Sequence, residues 1–361
     1  MRAVILSGGK ATRLRPLTCN TSKVMIPVLN RPFLQHLVWY LKRHDIVDIT
    51  LAIGKIPDEV ESYFGDGSRF DTTIEYSTES VPLGTAGAVK NARRLLDGPF
   101  VVFNGDVFTD IDLTAMMDAH QRRGAIATLA LTPVDDPTAY GVVETDGEGR
   151  VTRFLEKPSR DKVTSNLINA GIYILRPDIL NYIPPNAFVM FERDVFPSVL
   201  EAGETMCAYP SDDYWTDIGT PERYLRLNHD LLGRDIGPRG PKFEGKHDIH
   251  PSAQVEGPVL IGKGCRVASN CTIEGPTVLG QGCQIREGAV IQSSLLWQDC
   301  EIGRGARLRD SILASSCHVG RESLLDSCVL GDNVRIGGGN QLPQGTRIWP
   351  DKSIPPGTIS F

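Results

Sequence analysis

Through roughly the first two thirds of the chain, short apolar runs alternate with longer stretches whose apolar residues recur at helical spacing. Ala3 to Leu6, Ile49 to Ile53, Thr73 to Tyr76, Phe100 to Phe103 and Ala125 to Leu131 have the length and composition of strands. Phe33 to His44, Asp58 to Phe64, Gly84 to Leu96 and Leu113 to Arg123 have those of helices. Their alternation predicts an α/β domain over residues 1–235, a doubly wound, mainly parallel sheet with helices on both faces. Ligands of such sheets bind beyond the carboxyl ends of the strands.

The pattern breaks at GRDIGPRGPKFEGKHD, where Gly, Pro and charge replace periodicity, and residues 236–248 are expected to be a linker. Over residues 249–361 the apolar period is six. Ile249, Val255, Ile261, Val267, Ile273, Leu279, Ile285 and Ile291 share one register, and Leu324, Leu330, Ile336, Leu342, Ile348 and Ile354 share another. These ladders resemble the hexapeptide repeats of a left-handed parallel β-helix. Trp297 to Ser323 is irregular, as loop insertions or a register shift between coils would make it. Cys265, Cys271, Cys283 and Cys328 each follow a ladder residue by four, where the repeat takes a small side chain, so they are expected to be core fillers; Cys300 and Cys317 are unplaced.

Composition narrows the classes. A net charge of −6 with pI near 5.7 leaves no electrostatic footprint for nucleic acid or an anionic membrane. No apolar run reaches the ~18 residues of a membrane span, and only five apolar residues precede Ser7, too few for a signal peptide. A cytoplasmic protein is expected. The eight cysteines form no C-x-x-C pair and the seven histidines show no ligand spacing, which argues against zinc and for free thiols.

Candidate chemistry begins where the first strand ends, at Leu6. Gly8 and Gly9 form a turn whose bare N–H groups can approach phosphate, and Arg13 and Lys23 follow in a loop expected to be extended. FVVFNGD places Asp106 at the carboxyl end of a buried strand, where it can hold a divalent cation or cap the next helix. Asp217 lies in YWTDIG, and E-K-P (Glu156 to Pro158) follows the strand Val151 to Leu155. PLGTAGA (Pro82 to Ala88) opens a helix at Gly84, where it and Gly87 leave room for a base or ribose, or simply for a glycine-rich helix start.

Together, S-G-G-x-x-T-R-L-x-P-L-T, K-x-x-x-P-V, G-D, E-K-P, INAGIYIL and W-x-D-I-G-T-P-E resemble, in order, the motifs of sugar-1-phosphate nucleotidylyltransferases. Within that family the likeness is strongest to guanylyltransferases of mannose 1-phosphate with a hexapeptide tail. Two positions depart from the pattern: Ala11 replaces a usual glycine and Ser22 a usual proline. A positive φ at Ala11 would cost on the order of 1 kcal/mol.

The resemblance implies Mg²⁺ on Asp106 and Asp217, and a nucleotide, GTP favoured, near Leu6, Gly8, Gly9, Gly84 and Glu79. It also implies sugar-phosphate contacts from Gly141, Glu156, Lys157 and Asn169. Glu79 lies five residues before Gly84, where uridylyl and thymidylyl transferases tend to carry glutamine. A carboxylate, acceptor-only, matches guanine's adjacent N–H and NH₂ donors. The alternatives are a UTP- or dTTP-dependent glucose-1-phosphate enzyme, or a regulatory subunit without turnover. The second would be expected to lack the charged set Arg13, Lys23, Asp106, Lys157 and Asp217, all present here. Because these residues precede the linker, the β-helix is expected to serve homo-oligomer contact or regulation. Its only histidines are His250 and His318, which argues against an added acyl transfer.

Overall fold

The structure is a computed structural model that describes residues 1–9, 11–54, 58–236 and 240–360. It divides into two compact units: Met1–Gly9 with Leu34–Asp217, and Lys10–Phe33 with Ile218–Phe361.

The first unit is built on a nine-stranded mixed sheet. Its order is Val151–Glu156, Gly141–Thr145, Leu167–Leu175, Phe100–Asn104, Arg2–Leu6, Asp48–Ile53 and Thr73–Thr78. Ala127–Pro133 also pairs with Leu167–Leu175 and carries Met206–Pro210 beside it. The half from Phe100–Asn104 to Thr73–Thr78 is parallel, as strand–helix alternation requires. Leu167–Leu175 runs antiparallel to its neighbours, and Gly141–Thr145 and Val151–Glu156 form an antiparallel pair, so the sheet is less parallel than the pattern suggested.

The helix Leu113–Arg123 has the expected bounds because both ends are capped. Asp112 accepts the Ala115 N–H at 3.0 Å, and Gly124 takes φ 59°. The helix expected to reach Leu96 instead stops at Asn91. There the Ala92 N–H turns to the Val89 carbonyl, 3.1 Å away, and a 3₁₀ turn, Arg93–Leu95, follows.

In the second unit, three parallel sheets of seven, seven and six short strands form the left-handed β-helix. Stacked residues are 18 apart at Ser252 and Asn270, but 17 apart at Thr277 and Ser294, Ser294 and Ser311, and Ser311 and Cys328. Three coils therefore each lack one residue at the same corner. No insertion is involved; the register slips from Ile291 to Leu296, Leu308 to Leu313 and Leu325 to Leu330. At that corner each hydroxyl accepts the next coil's N–H: Thr277 from Ser294, Ser294 from Ser311, and Ser311 from Cys328.

The slip corrects one ladder residue, since Leu324 is 40% exposed and Leu325, 2% exposed, takes the core position. It also places the two remaining cysteines. Cys265, Cys283, Cys300 and Cys317 form one buried column, their Sγ atoms 3.0 to 3.2 Å from carbonyls of the next coil.

The stretch expected to be a linker is partly built into the fold. The helix Pro221–Ile236 continues past Gly233, while Lys242–Phe243 and Asp248–Ile249 pair with Val259–Ile261 and Arg266–Val267 as the first coil. Residues 237–239 of it lie outside the described residues.

Candidate active site

At the carboxyl ends of the parallel strands, Leu6 is in register with Ala52 and Asn104. The Ser7 N–H donates to the Ala52 carbonyl at 2.8 Å, Gly105 N–H to Leu6 O at 2.9 Å, and Glu79 N–H to Ile53 O at 3.1 Å. Leu6, Gly8, Gly9, Glu79, Asn104 and Asp106 are thus gathered on one edge by sheet register. Among the described residues a Cβ on Gly8 or Gly9 would meet nothing within 4 Å, whereas one on Gly105 would stand 2.5 Å from the Leu6 carbonyl. The first two glycines leave space, and the third allows two chains to touch. Ser7 Oγ and Asn104 Oδ1 are buried on this edge without a hydrogen-bond partner among the described residues.

Asp106 and Asp217 are joined through a small antiparallel pairing of Val107–Thr109 with Trp215–Asp217, in which Asp217 faces Val107. The register seats Asp217 opposite the residue that follows Asp106. Asp217 is 8% exposed and its Oδ2 accepts the Tyr140 hydroxyl at 3.0 Å. Trp215 meets the Tyr140 ring edge-on at 5.7 Å and donates Nε1–H to the Ala170 carbonyl at 2.8 Å. Nothing in sequence spacing singles out Tyr140. Among the described residues no group of three or more His, Cys, Asp and Glu gathers as a metal cluster. A two-carboxylate donor set is what Mg²⁺ takes when phosphate oxygens complete its shell.

On the antiparallel side, Glu156 is in register with Gly141, and its Oε1 lies 3.4 Å from Lys157 Nζ. Lys157 adopts φ 47°, with its N–H donating to the Tyr140 carbonyl at 3.0 Å. Asn169 Nδ2–H donates to the Tyr173 hydroxyl at 2.7 Å, and that hydroxyl to Glu192 Oε1 at 3.1 Å. Thr85 donates to the other Glu192 oxygen at 3.1 Å. Burial raises the Glu192 pKa, opposed by these hydrogen bonds. Sequence reading missed Glu192, because a carboxylate between Phe191 and Arg193 in a short π-helical turn carries no periodic sign of burial.

Glu79 Oε2 accepts the Leu83 N–H at 2.8 Å, which closes the turn before the helix Gly84–Asn91. The glycines of that helix serve packing. A Cβ on Gly84 would stand 2.5 Å from the Val189 carbonyl, and one on Gly87 2.6 Å from the Ala187 carbonyl, so both glycines allow close backbone packing on that side.

Arg13 and Lys23 belong to the second unit. Their loop is not extended: each sits in a 3₁₀ turn, Thr12–Leu14 and Lys23–Met25, followed by the strands Pro27–Val28 and Arg31–Pro32. Ala11 is left-handed at φ 43°, and its carbonyl accepts the Thr18 hydroxyl at 2.9 Å. Leu14, Leu17, Val24, Ile26 and Val28 are at most 2% exposed, while the Arg13 side chain is exposed.

The combination of a doubly wound sheet, a glycine turn after its first strand and paired aspartates at its carboxyl edge defines a nucleotide-handling α/β protein. Residues 2–234 match the nucleotidyl transferase family, to which the chain belongs, and residues 243–342 match the EIF2B subunit epsilon LbH domain. It is 41% identical over 275 residues to a mannose-1-phosphate guanylyltransferase of Mycobacterium tuberculosis, covering 73% of this chain and 76% of that protein. It is 35% identical over 320 residues to a UTP–glucose-1-phosphate uridylyltransferase of Synechocystis, covering 82% of each. Among solved structures, HddC from Yersinia pseudotuberculosis complexed with GMP-PN aligns with TM-score 0.56 and 28% identity over 64% of this chain and 99% of that one.

Proposed function

We propose that this nucleotidyl transferase joins GTP to mannose 1-phosphate, forming GDP-mannose and pyrophosphate. The observation that carries the transfer reading is Asp106 and Asp217, brought together by strand register on the sheet edge that also holds Ser7 Oγ and Asn104 Oδ1, buried without a partner among the described residues. An edge with two carboxylates and two unsatisfied buried oxygens is built to receive a ligand.

In the reaction a sugar-phosphate oxygen attacks the α-phosphorus of the triphosphate, and the bond from that phosphorus to the bridging oxygen of the β-phosphate breaks. Each substrate is a polyanion, so the protein supplies charge and alignment rather than a nucleophile. Asp106 and Asp217 would hold Mg²⁺, which supplies charge neutralisation on phosphate oxygens. Tyr140 orients Asp217 through its hydrogen bond. The Gly8–Gly9 turn offers N–H groups to phosphate, Arg13 steadies the departing pyrophosphate, and Lys23 serves the triphosphate. Lys157 takes the sugar phosphate, while Glu156, Asn169 and the Gly141 backbone read sugar hydroxyls.

Glu79 supports guanine: the Leu83 N–H fixes its carboxylate, leaving acceptor lone pairs for two adjacent donors. The longer match to the uridylyltransferase supports uracil as the second reading. Pyrophosphate release across the common triphosphates and several sugar 1-phosphates decides between them. GTP is expected to be preferred, and Glu79→Gln to weaken it by about 1–3 kcal/mol while narrowing the gap to UTP. A parent that prefers UTP or dTTP removes the guanine reading and leaves nucleotidyl transfer standing.

A further inference from the structure

The loop that carries Arg13 and Lys23 is tethered to residues more than a hundred positions away within its own unit. Asn20 Nδ2–H donates to Asp332 Oδ2 at 3.3 Å, and Asn30 Nδ2–H donates to Glu244 Oε2 and to the Leu279 carbonyl, both at 3.1 Å. Arg31 pairs with Glu244 at 2.8 Å. Tyr224 donates its hydroxyl hydrogen to the Pro27 carbonyl and accepts Trp297 Nε1–H at 3.0 Å. Arg347, in the strand Arg347–Ile348, donates Nη1–H to the Arg13 carbonyl at 3.5 Å and pairs through Nη2 with Glu222 at 3.0 Å.

These contacts reach the loop at its start, middle and end, and they come from the first, middle and late coils. Asp332 is 8% exposed and also accepts the Ser315 N–H at 3.1 Å, so its carboxylate is fixed before Asn20 meets it. Tyr224 is fully buried, with its hydroxyl placed between the β-helix and the loop. A surface that served only contact between copies would need none of this.

We propose that the β-helix is the platform that positions the cation loop for catalysis, with Arg347 and Asp332 as positioning residues. The loop contains a left-handed alanine and two single-turn 3₁₀ segments, and hydrogen bonds within it, such as Leu14 N–H and Thr18 Oγ1–H to the Ala11 carbonyl, are local. A chain of that kind holds an arginine in one place only if something outside it removes the alternatives. Positioning matters because misplacement of a charged group by about 1 Å can cost two orders of magnitude in rate. The assignment of Arg13 and Lys23 to the phosphates rests on the function proposed above; the tethering does not. It gives the β-helix a part in the chemistry beside the expected homo-oligomer contact or regulation.

The test compares the full-length parent with Arg347→Ala, Arg347→Lys and Arg286→Ala. The last breaks the β-helix surface pair Arg286–Glu301, 2.6 Å apart and away from the loop. Two readouts are taken: steady-state pyrophosphate release, and hydrogen exchange in peptides spanning residues 11–30. Arg347→Ala is expected to lower kcat about tenfold with KM for the sugar phosphate within about twofold, and to speed exchange in those peptides. Arg347→Lys should recover part of both, and Arg286→Ala should match the parent. If Arg347→Ala does not fold, Asn20→Ala cuts the Asp332 tether from the loop side and is expected to give the same pair of changes. Unchanged exchange and kcat, or equal losses in Arg286→Ala, overturn the proposal. A parent that releases no pyrophosphate counts against the transfer reading alone, since exchange still reports the tether.

Discussion

Asp217 is set apart from the other carboxylates of its unit by two local facts, a Tyr140 hydroxyl on its Oδ2 and a strand pairing that seats it opposite the residue after Asp106. Asp217→Asn keeps shape and removes charge, so pyrophosphate release at saturating Mg²⁺ is expected to fall by at least two orders of magnitude while thermal unfolding is unchanged. Activity within a few fold of the parent would falsify its place in the metal site. A different residue governs acid tolerance. His120 is 3% exposed, bonded to Thr128 Oγ1 at 2.9 Å, and burial, helped by the nearby Arg176, pushes its pKa down to about 4. The fold therefore favours the neutral ring. That contribution is complete above the ordinary value of 6.5 and is lost as pH falls from there toward 4. About 2 kcal/mol should be gone by pH 5, read as a drop in the urea midpoint that His120→Asn flattens. At this scale strand ends and motif order single out the charged candidates. Tyr140 and Glu192 carry no such sign, because a hydrogen bond between distant positions leaves no trace in spacing.

Among the elements, the β-helix shows most plainly what periodicity can and cannot carry. A period of six announces the coil wherever each coil has 18 residues, and it fails where one corner is a residue short. The shortened corners keep every inward position filled, so burial is continuous although the spacing is broken. Leu325→Ala is expected to cost about 2–5 kcal/mol as a core truncation, and Leu324→Ala less than about 0.5 kcal/mol. Thermal unfolding of the two variants separates them; equal shifts would return Leu324 to the ladder. The same logic explains the sheet. Strand–helix alternation made the parallel half readable, while Gly141–Thr145 and Val151–Glu156 pair directly across a turn, without the helix that signals a crossover.

For the whole molecule, the informative division is by contacts rather than by sequence order, because the unit that holds residues 218–361 also holds Lys10–Phe33. No reading of composition could show this, since Asn20 and Asp332 are 312 positions apart. Removal of residues 240–361 deletes Glu244, Leu279, Trp297, Asp332 and Arg347 together. The shortened chain is expected to lose more than tenfold in kcat and to scatter light as it aggregates, exposing Leu14, Leu17 and Val24, which are buried in the full chain. A monodisperse fragment with parental kcat would show that the loop holds itself.

The 312-residue span between Asn20 and Asp332 also sets a clock on synthesis. A ribosome adds roughly 5–20 residues per second, so Asn20 waits about 15–60 s for the residue that fixes it. Until then the cation loop has been made but its anchor has not. A nascent chain stalled within the β-helix would carry the whole signature motif and still lack its last tethers, so on the positioning proposed above catalytic competence is expected only with the last coils.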